Sequence, residues 1–189
     1  FRSNPTGRVY PESTIAALAD ALRAHGTKCG RMPYLIADEP YREIVYGGLA
    51  VPPVLSAYEE ALVVTSYSKS LSLPGERIGY IAIGPRAADA AELAGALAYA
   101  TRVLGFVNAP ALMQRVVAEL TEARVDVGIY ERRKAAFKAV LDAAGIEYAE
   151  PEGAFYLFCK VPARASGAGD DAAFVSCLKD HLILGVPGS

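Results

Sequence analysis

Residues able to do chemistry follow short apolar runs in the first half of this 189-residue chain. They comprise an acid, a phenol, two hydroxyls and two cations: Asp38, Tyr41, Ser66, Ser68, Lys69 and Arg77. Open α/β sheets bind their ligands at the carboxyl ends of the strands, so we expect these side chains to meet at one sheet edge. The set therefore predicts a ligand site.

The residue types point to a particular kind of ligand. A guanidinium at Arg77 with hydroxyls at Ser66 and Ser68 suits a phosphate, because each donates hydrogen bonds to anionic oxygens. A lysine such as Lys69 can form a Schiff base with a carbonyl group. A carboxylate such as Asp38 can keep a pyridine nitrogen protonated. Together these are the groups that a pyridoxal phosphate site needs.

Apolar patterning supplies the elements that would position these residues. Continuous apolar runs predict strands buried on both faces at 34–37, 62–65 and 78–83. Before them, a 3.6-residue apolar period predicts a helix that begins at Pro11 and ends at Gly26. Alternation of strands with helices predicts an α/β fold with a mostly parallel sheet flanked by helices.

The second half of the chain has a different pattern. Helical periodicity from Arg86 is broken near Gly105 and Pro110, and a longer helix is predicted at 124–144. An apolar segment at 154–161, a helix at 171–181 and a strand at 183–186 follow. We therefore expect a large domain at 1–125 and a smaller α+β domain at 126–189, joined by the long helix.

Composition narrows the function classes. Nineteen basic and 21 acidic residues give a net charge of −2, which removes the electrostatic case for non-specific binding to nucleic acid or anionic membranes. Neither a membrane-spanning apolar run nor a basic leader is visible, so a cytoplasmic protein is expected. Three cysteines and two histidines supply few ligands for a transition metal and an odd number of thiols, so neither a metal site nor a disulfide framework is expected.

Four segments together resemble the signature of the class I and II pyridoxal-phosphate aminotransferases, the fold type I superfamily of aspartate aminotransferase. They are Asn-Pro-Thr-Gly at 4–7, Asp-Glu-Pro-Tyr at 38–41, the run from Ser66 to Tyr80 around the lysine, and Pro-Glu-Gly-Ala-Phe-Tyr at 151–156. The resemblance implies that the chain consists of the second part of the family's large cofactor-binding domain, followed by an incomplete small C-terminal domain. It also implies that the family's phosphate-binding glycine turn, its ring-stacking aromatic residue and its carboxylate-binding arginine lie outside these residues.

The resemblance assigns roles at the lysine and around the cofactor ring. Lys69 would hold the cofactor as a Schiff base and move the proton of the substrate's Cα. Asp38 would pair with the protonated pyridine nitrogen. Tyr41 and Asn4 would hydrogen-bond the 3′ oxygen of the cofactor.

The same resemblance assigns Ser66, Ser68 and Arg77 to the cofactor's phosphate. Each proposed site residue also has an ordinary alternative, such as a solvated lysine, a turn-forming serine or a surface ion pair. Phe155 and Tyr156 are expected in the core rather than at the substrate. The charged run at 131–134 is expected to be a solvated helix face.

The function implied by the resemblance is amino-group transfer between an amino acid and a 2-oxo acid by a ping-pong route, in a homodimer with sites at the interface. Three alternatives stay open at this point. One is a carbon–sulfur lyase or related synthase on the same fold. The others are the aminotransferase-like effector domain of a transcriptional regulator and a catalytically inactive relic.

Overall fold

A computed structural model describes residues 5–163 and 169–188 of the chain. Its sheet has three strands, β1 (Leu35–Asp38), β2 (Ala61–Ser66) and β3 (Gly79–Ile83), in the order β1-β2-β3. The helices are α1 (Glu12–Cys29), α2 (Val54–Ala57), α3 (Tyr67–Ser70), α4 (Ala90–Val103), α5 (Ala111–Glu119), α6 (Val127–Ala143) and α7 (Asp171–Asp180). A 3-10 turn lies at Pro74–Glu76. The α/β class is thereby confirmed.

The sheet is mixed, which corrects the prediction of a mostly parallel one. β1 pairs parallel to β2, with Asp38 opposite Val64, whereas β3 pairs antiparallel to β2, with Gly79 opposite Ser66. The twelve residues between the two strands form only the single turn of α3 and the 3-10 turn, with no crossover helix that could pack on the sheet. The backbone N–H of Tyr67 donates to the carbonyl of Ile78 at 3.1 Å, so the chain returns beside the end of β2. Ser66 and Gly79 are consequently direct neighbours.

One face of the sheet packs on α1 and α2. Ala19 of α1 and Val54 of α2 are buried against Ala37 and Ala61, and the ring of Tyr58 fills the same cluster. The Tyr58 hydroxyl donates to the carbonyl of Pro33 at 2.7 Å, which satisfies the one polar atom of this ring. This cluster holds β1 and β2 together beneath the predicted site.

The prediction that the strands are buried on both faces is wrong for the outer strands. Ile36 of β1 is 62% exposed and Tyr80 of β3 is 52% exposed. The physical reason is that α1 and α2 cover a single face of the sheet, so side chains that alternate to the other face meet solvent.

α1 continues beyond the glycine that was expected to end it. Gly26 is a buried helical residue, and a Cβ there would lie 2.3 Å from the sulfur of Met32. This glycine therefore allows close packing, while the stop signal is Gly30, whose φ of 71° forms a left-handed cap.

The second half is helical, as predicted, with α4 and α5 separated near Gly105 and Pro110 and with α6 close to its predicted bounds. The strand predicted at 183–186 is not formed, and Leu184 and Val186 are 86% and 90% exposed. Within the described residues no neighbouring strand pairs with this segment, and a strand needs such a ladder partner for its backbone groups. Among the described helices, none is both long and apolar enough to cross a membrane.

Candidate functional site

The first group of site residues lies where β1 and β2 end. Asp38 closes β1, and Ser66 closes β2 two residues beyond the partner of Asp38. Alternation along the strand exposes Asp38 and buries the adjacent Glu39, which pairs with Arg42 at 2.9 Å. Of the two neighbouring carboxylates, Asp38 is therefore the one available to a ligand.

Lys69 lies on α3 directly after β2, among aromatic rings. Its Nζ atom is 5.0 Å from the ring centroid of Phe155 and 5.8 Å from that of Tyr41. Across the part of the chain that the structure describes, no carboxylate lies within ion-pair distance of this ammonium. The amine thus makes cation–π contacts with these two rings and forms no salt bridge with a described residue.

Tyr41 is buried beneath Lys69 and is paired with a second phenol. Its hydroxyl lies 2.5 Å from the hydroxyl of Tyr156, and the rings of Tyr156 and Phe155 contact it edge-on at 5.5 and 5.3 Å. Burial, followed by the Tyr156 hydroxyl and the nearby Asp38 carboxylate, raises the pKa of Tyr41 far above its ordinary value. Tyr41 therefore stays a neutral phenol that can donate a hydrogen bond.

Three donors suited to an anion lie at the end of β2 and in the connection that follows it. The hydroxyls of Ser66 and Ser68 make no hydrogen bond to any described residue, and both side chains are half-buried. Arg77 has a left-handed backbone with a φ of 49°, and its Nη1 donates to the carbonyl of Pro74 at 2.9 Å. The guanidinium is exposed, so an anion can compete for it.

A glycine makes the approach of this turn to the strand possible. A Cβ on Gly79 would lie 2.4 Å from the carbonyl oxygen of Thr65 and 3.0 Å from the Cα of Ser66. No side chain fits that space, so the sequence requires glycine here. The turn bearing Arg77 is thereby held close to the end of β2.

The aromatic residues at 155 and 156 arrive through contacts far apart in sequence. Gly153 forms a bridge with Val45, and the backbone N–H of Ala154 donates to the carbonyl of Ile44 at 2.9 Å. Gly7 packs on the same segment, where a Cβ would lie 3.0 Å from the carbonyl of Gly153. These contacts fix the segment against the chain that carries Tyr41.

The start of α6 is joined to the turn that carries Lys69. The backbone N–H of Val125 donates to the carbonyl of Ser70 at 3.2 Å. Beside it, Arg124 pairs with Glu43 at 2.6 Å. The segments around residues 43, 70 and 125 are thus tied together next to Lys69.

The structure brings Lys69, Tyr41 and Asp38 together at one sheet edge. Ser66 and Ser68 lie on the chain next to Lys69, and Arg77 lies two residues before Gly79, which pairs with Ser66. Asn4 lies outside the described residues. The expectation that Phe155 and Tyr156 are core residues is corrected, because Phe155 is 40% exposed beside the Lys69 amine and Tyr156 contacts the Tyr41 hydroxyl. The signal that could have found them is the glycine-containing motif at 151–156, since Gly153 and Ala154 make the backbone contacts that bring this segment to Tyr41.

Comparison with known proteins shows relatives of one kind. The family model for aminotransferase class I and II matches residues 2–189. An aspartate aminotransferase of Thermococcus kodakarensis is 31% identical over all of this chain and 47% of its own length. An aspartate/prephenate aminotransferase of Thermus thermophilus is 32% identical over 99% of this chain and 46% of its own length. The chain therefore spans about half the length of these relatives.

Solved structures agree with this result. A crystal structure of an amino transferase from Eubacterium rectale matches with a TM-score of 0.87 and 42% identity, over 96% of this chain and 44% of that one. An aspartate aminotransferase from Thermus thermophilus with maleate matches with a TM-score of 0.69 and 27% identity, over 98% and 47% of the two chains. The family match, the relatives and the arrangement around Lys69 lead to one conclusion: this chain belongs to the class I and II aminotransferase family.

Proposed function

We propose that this chain is the part of a pyridoxal-phosphate-dependent aminotransferase that carries the reactive lysine. The observation that carries the proposal is the placement of the Lys69 amine over the rings of Tyr41 and Phe155, at the sheet edge where Asp38 lies. The family match supports it, because aminotransferases of this class depend on pyridoxal phosphate.

The donor set fits the cofactor group by group. Ser66, Ser68 and Arg77 offer two hydroxyls and a guanidinium to a phosphate, and no described carboxylate pairs with Arg77 to oppose the anion. Asp38 offers a carboxylate to the protonated ring nitrogen, and Tyr41 offers a phenol to the ring oxygen. When bound, the cofactor would supply an electron sink for the carbanion formed at the substrate's Cα.

The chain's own groups have separate tasks in this proposal. Lys69 would hold the cofactor and then receive and return the Cα proton at Nζ, which requires an amine free of a salt bridge. Tyr41 would donate its proton in a hydrogen bond, because its raised pKa keeps it protonated. Asp38 would keep its partner nitrogen charged by proximity.

For the whole protein we propose the class of substrate, the oligomeric state and the cellular location. The substrates would be an amino acid and a 2-oxo acid. The names of the relatives favour aspartate as the amino donor. We also propose a cytoplasmic homodimer and a domain boundary between residues 125 and 126, just before α6 begins at Val127.

The test is cofactor trapping on the purified chain. We expect an absorbance band that stays with the protein after unbound pyridoxal phosphate is removed by gel filtration, and borohydride reduction followed by peptide mass mapping should place the added mass on Lys69. Lys69→Ala should lose both signals, while Lys28→Ala, an exposed lysine on α1, should keep them. Added mass spread over many lysines, or an unaltered band in Lys69→Ala, would contradict the proposal.

A further inference from the structure

We propose that a cavity distinct from the site of the Lys69 amine binds small aromatic carboxylates. This cavity has a volume of about 420 Å³ and lies between α6 and the segment at 151–157. Its volume falls within the range of natural small-molecule sites, which start at about 300 Å³. The inference goes beyond the proposed transamination, because it concerns a different ligand site.

The walls of the cavity are mostly aromatic. They are formed by the rings of Tyr46, Tyr130, Phe137, Phe155 and Tyr156 with the side chains of Pro151 and Leu157. Tyr130 and Phe155 stack nearly parallel, with centroids 5.7 Å apart and planes at 17°. Such walls favour a flat, apolar ligand body, because aromatic rings pack on one another by stacking or edge contacts.

Two cations complete the lining, namely Arg133 and Lys134. The charged run at 131–134 was expected to be a solvated helix face, and that holds for Glu131, Arg132 and Arg133, which are exposed. Lys134 differs, because it is half-buried and its Nζ lies 4.0 Å from the ring centroid of Tyr46. The prediction for the run is therefore wrong at this residue.

The cations in the cavity are not neutralised by the protein. No described carboxylate lies within ion-pair distance of Arg133 or Lys134, and the lining itself contains none. The nearby acids are engaged elsewhere: Glu150 pairs with Lys138 at 2.6 Å, and Glu152 accepts from the backbone of Val9 at 2.7 Å. An anion entering the cavity would thus meet the half-buried ammonium of Lys134 and the exposed guanidinium of Arg133.

Together, the walls and the charges define the ligand class. Rings on several sides of the cavity favour a ligand with an aromatic or similarly flat body, and the cations favour a carboxylate at one end of that ligand. The Lys69 amine lies at the Phe155 ring, so Phe155 and Tyr156 are a wall shared between the two sites.

The experiment measures binding of 3-phenylpropionate to the purified chain by isothermal titration calorimetry. We expect a Kd below about 1 mM. Each of Arg133→Gln and Lys134→Gln should weaken binding by about tenfold, since each removes one charge-assisted contact. The matched control Arg132→Gln, next in sequence but exposed and facing Asp126 at 3.9 Å, should bind within about twofold of the parent.

Two further comparisons separate the possible causes. Lys134→Arg keeps the positive charge and should retain most of the affinity. Together with Lys134→Gln, it separates the loss of the charge from any loss of packing on Tyr46. The uncharged analogue 3-phenylpropan-1-ol should bind at least about tenfold more weakly than the carboxylate. Equal binding of the alcohol would overturn the proposal, because the cavity would then be merely apolar.

Lys69→Ala distinguishes this proposal from the proposed function. We expect it to bind 3-phenylpropionate like the parent while failing to trap pyridoxal phosphate. Loss of probe binding in Lys69→Ala would place the probe at the Lys69 site and overturn the inference. An absence of heat in every variant, or an equal loss in Arg132→Gln, would overturn it as well.

Discussion

The hydroxyl groups of Tyr41 and Tyr156 lie 2.5 Å apart, although 115 residues separate them in the sequence. Each phenol can donate one hydrogen bond and accept others. If Tyr41 gives its proton to a ligand, Tyr156 can supply a hydrogen bond in return. The pair therefore orients the Tyr41 hydroxyl before any ligand arrives.

Removing the Tyr156 hydroxyl should lower the pKa of Tyr41. In Tyr156→Phe we expect that pKa to fall but to stay above its ordinary value of 10.0, because burial is the largest cause and persists. Tyrosine labelled with ¹³C at Cζ and followed by NMR across alkaline pH reports it without any cofactor. Tyr99→Phe, which alters an exposed ring, should leave the Tyr41 titration unchanged, and an unaltered titration in Tyr156→Phe would contradict the expectation.

The left-handed backbone of Arg77 predicts a separation of stability from affinity. Both Arg77→Gly and Arg77→Ala should weaken pyridoxal phosphate binding by about tenfold or more, because each loses the guanidinium. Arg77→Gly should be the more stable of the two by about 1 kcal/mol, because glycine adopts a φ of 49° without strain. Urea unfolding and a cofactor titration measure the two quantities, and equal stabilities would argue against strain at this residue.

Close packing at Gly79 makes alanine costly there. Gly79→Ala should reduce the free energy of unfolding by about 1–3 kcal/mol, because the new methyl would meet the Thr65 carbonyl and Ser66. Gly75→Ala is the matched control, since a Cβ at Gly75 has open space around it, and a change within about 0.5 kcal/mol is expected. Denaturant unfolding of both variants provides the measurement. Similar free energies of unfolding for the two variants would contradict the expectation, because β3 would then have moved to make room for the methyl group.

The ion pair between Glu59 and Arg23 predicts a dependence of stability on pH. Hydrogen bonds from Arg23, the closest at 2.8 Å, lower the pKa of Glu59 below its ordinary value of 4.5. This stabilisation is present above pH 4.5 and is lost as the pH falls through the lower, folded-state pKa. In Glu59→Gln, urea midpoints measured from pH 7 to 3 should fall less steeply with pH than in the parent. The exposed Glu92→Gln should keep the parent's slope.

Local patterns predicted the sheet edge well. The runs around β1 and β2 are short, apolar and followed at once by polar residues, so the positions of Asp38 and Ser66 follow from the strands themselves. The direction of β3 could not be predicted in the same way, because the residues at 78–83 are equally compatible with parallel and antiparallel pairing to β2. That choice depends on how residues 67–78 fold, and here α3 and the 3-10 turn return the chain antiparallel to β2.

The remaining errors of prediction arise where a tertiary contact, and not the local sequence, determines the structure. Gly26 has the sequence of a helix stop, but packing against Met32 keeps it inside α1. The apolar run at 183–186 has strand composition, but no described strand pairs with it. Tyr156 was missed at the site because its partner Tyr41 is remote in sequence, and no local period encodes such a contact.

The ring of Phe155 touches the Lys69 amine on one side and stacks on Tyr130 on the other. A single rigid ring cannot shift toward one neighbour without leaving the other. Any occupant that displaces it from either side therefore changes the affinity of the opposite side, and linkage requires both affinities to change by the same factor. Substitutions at residue 155 would accordingly alter the size of that coupling as well as the affinity of each site alone.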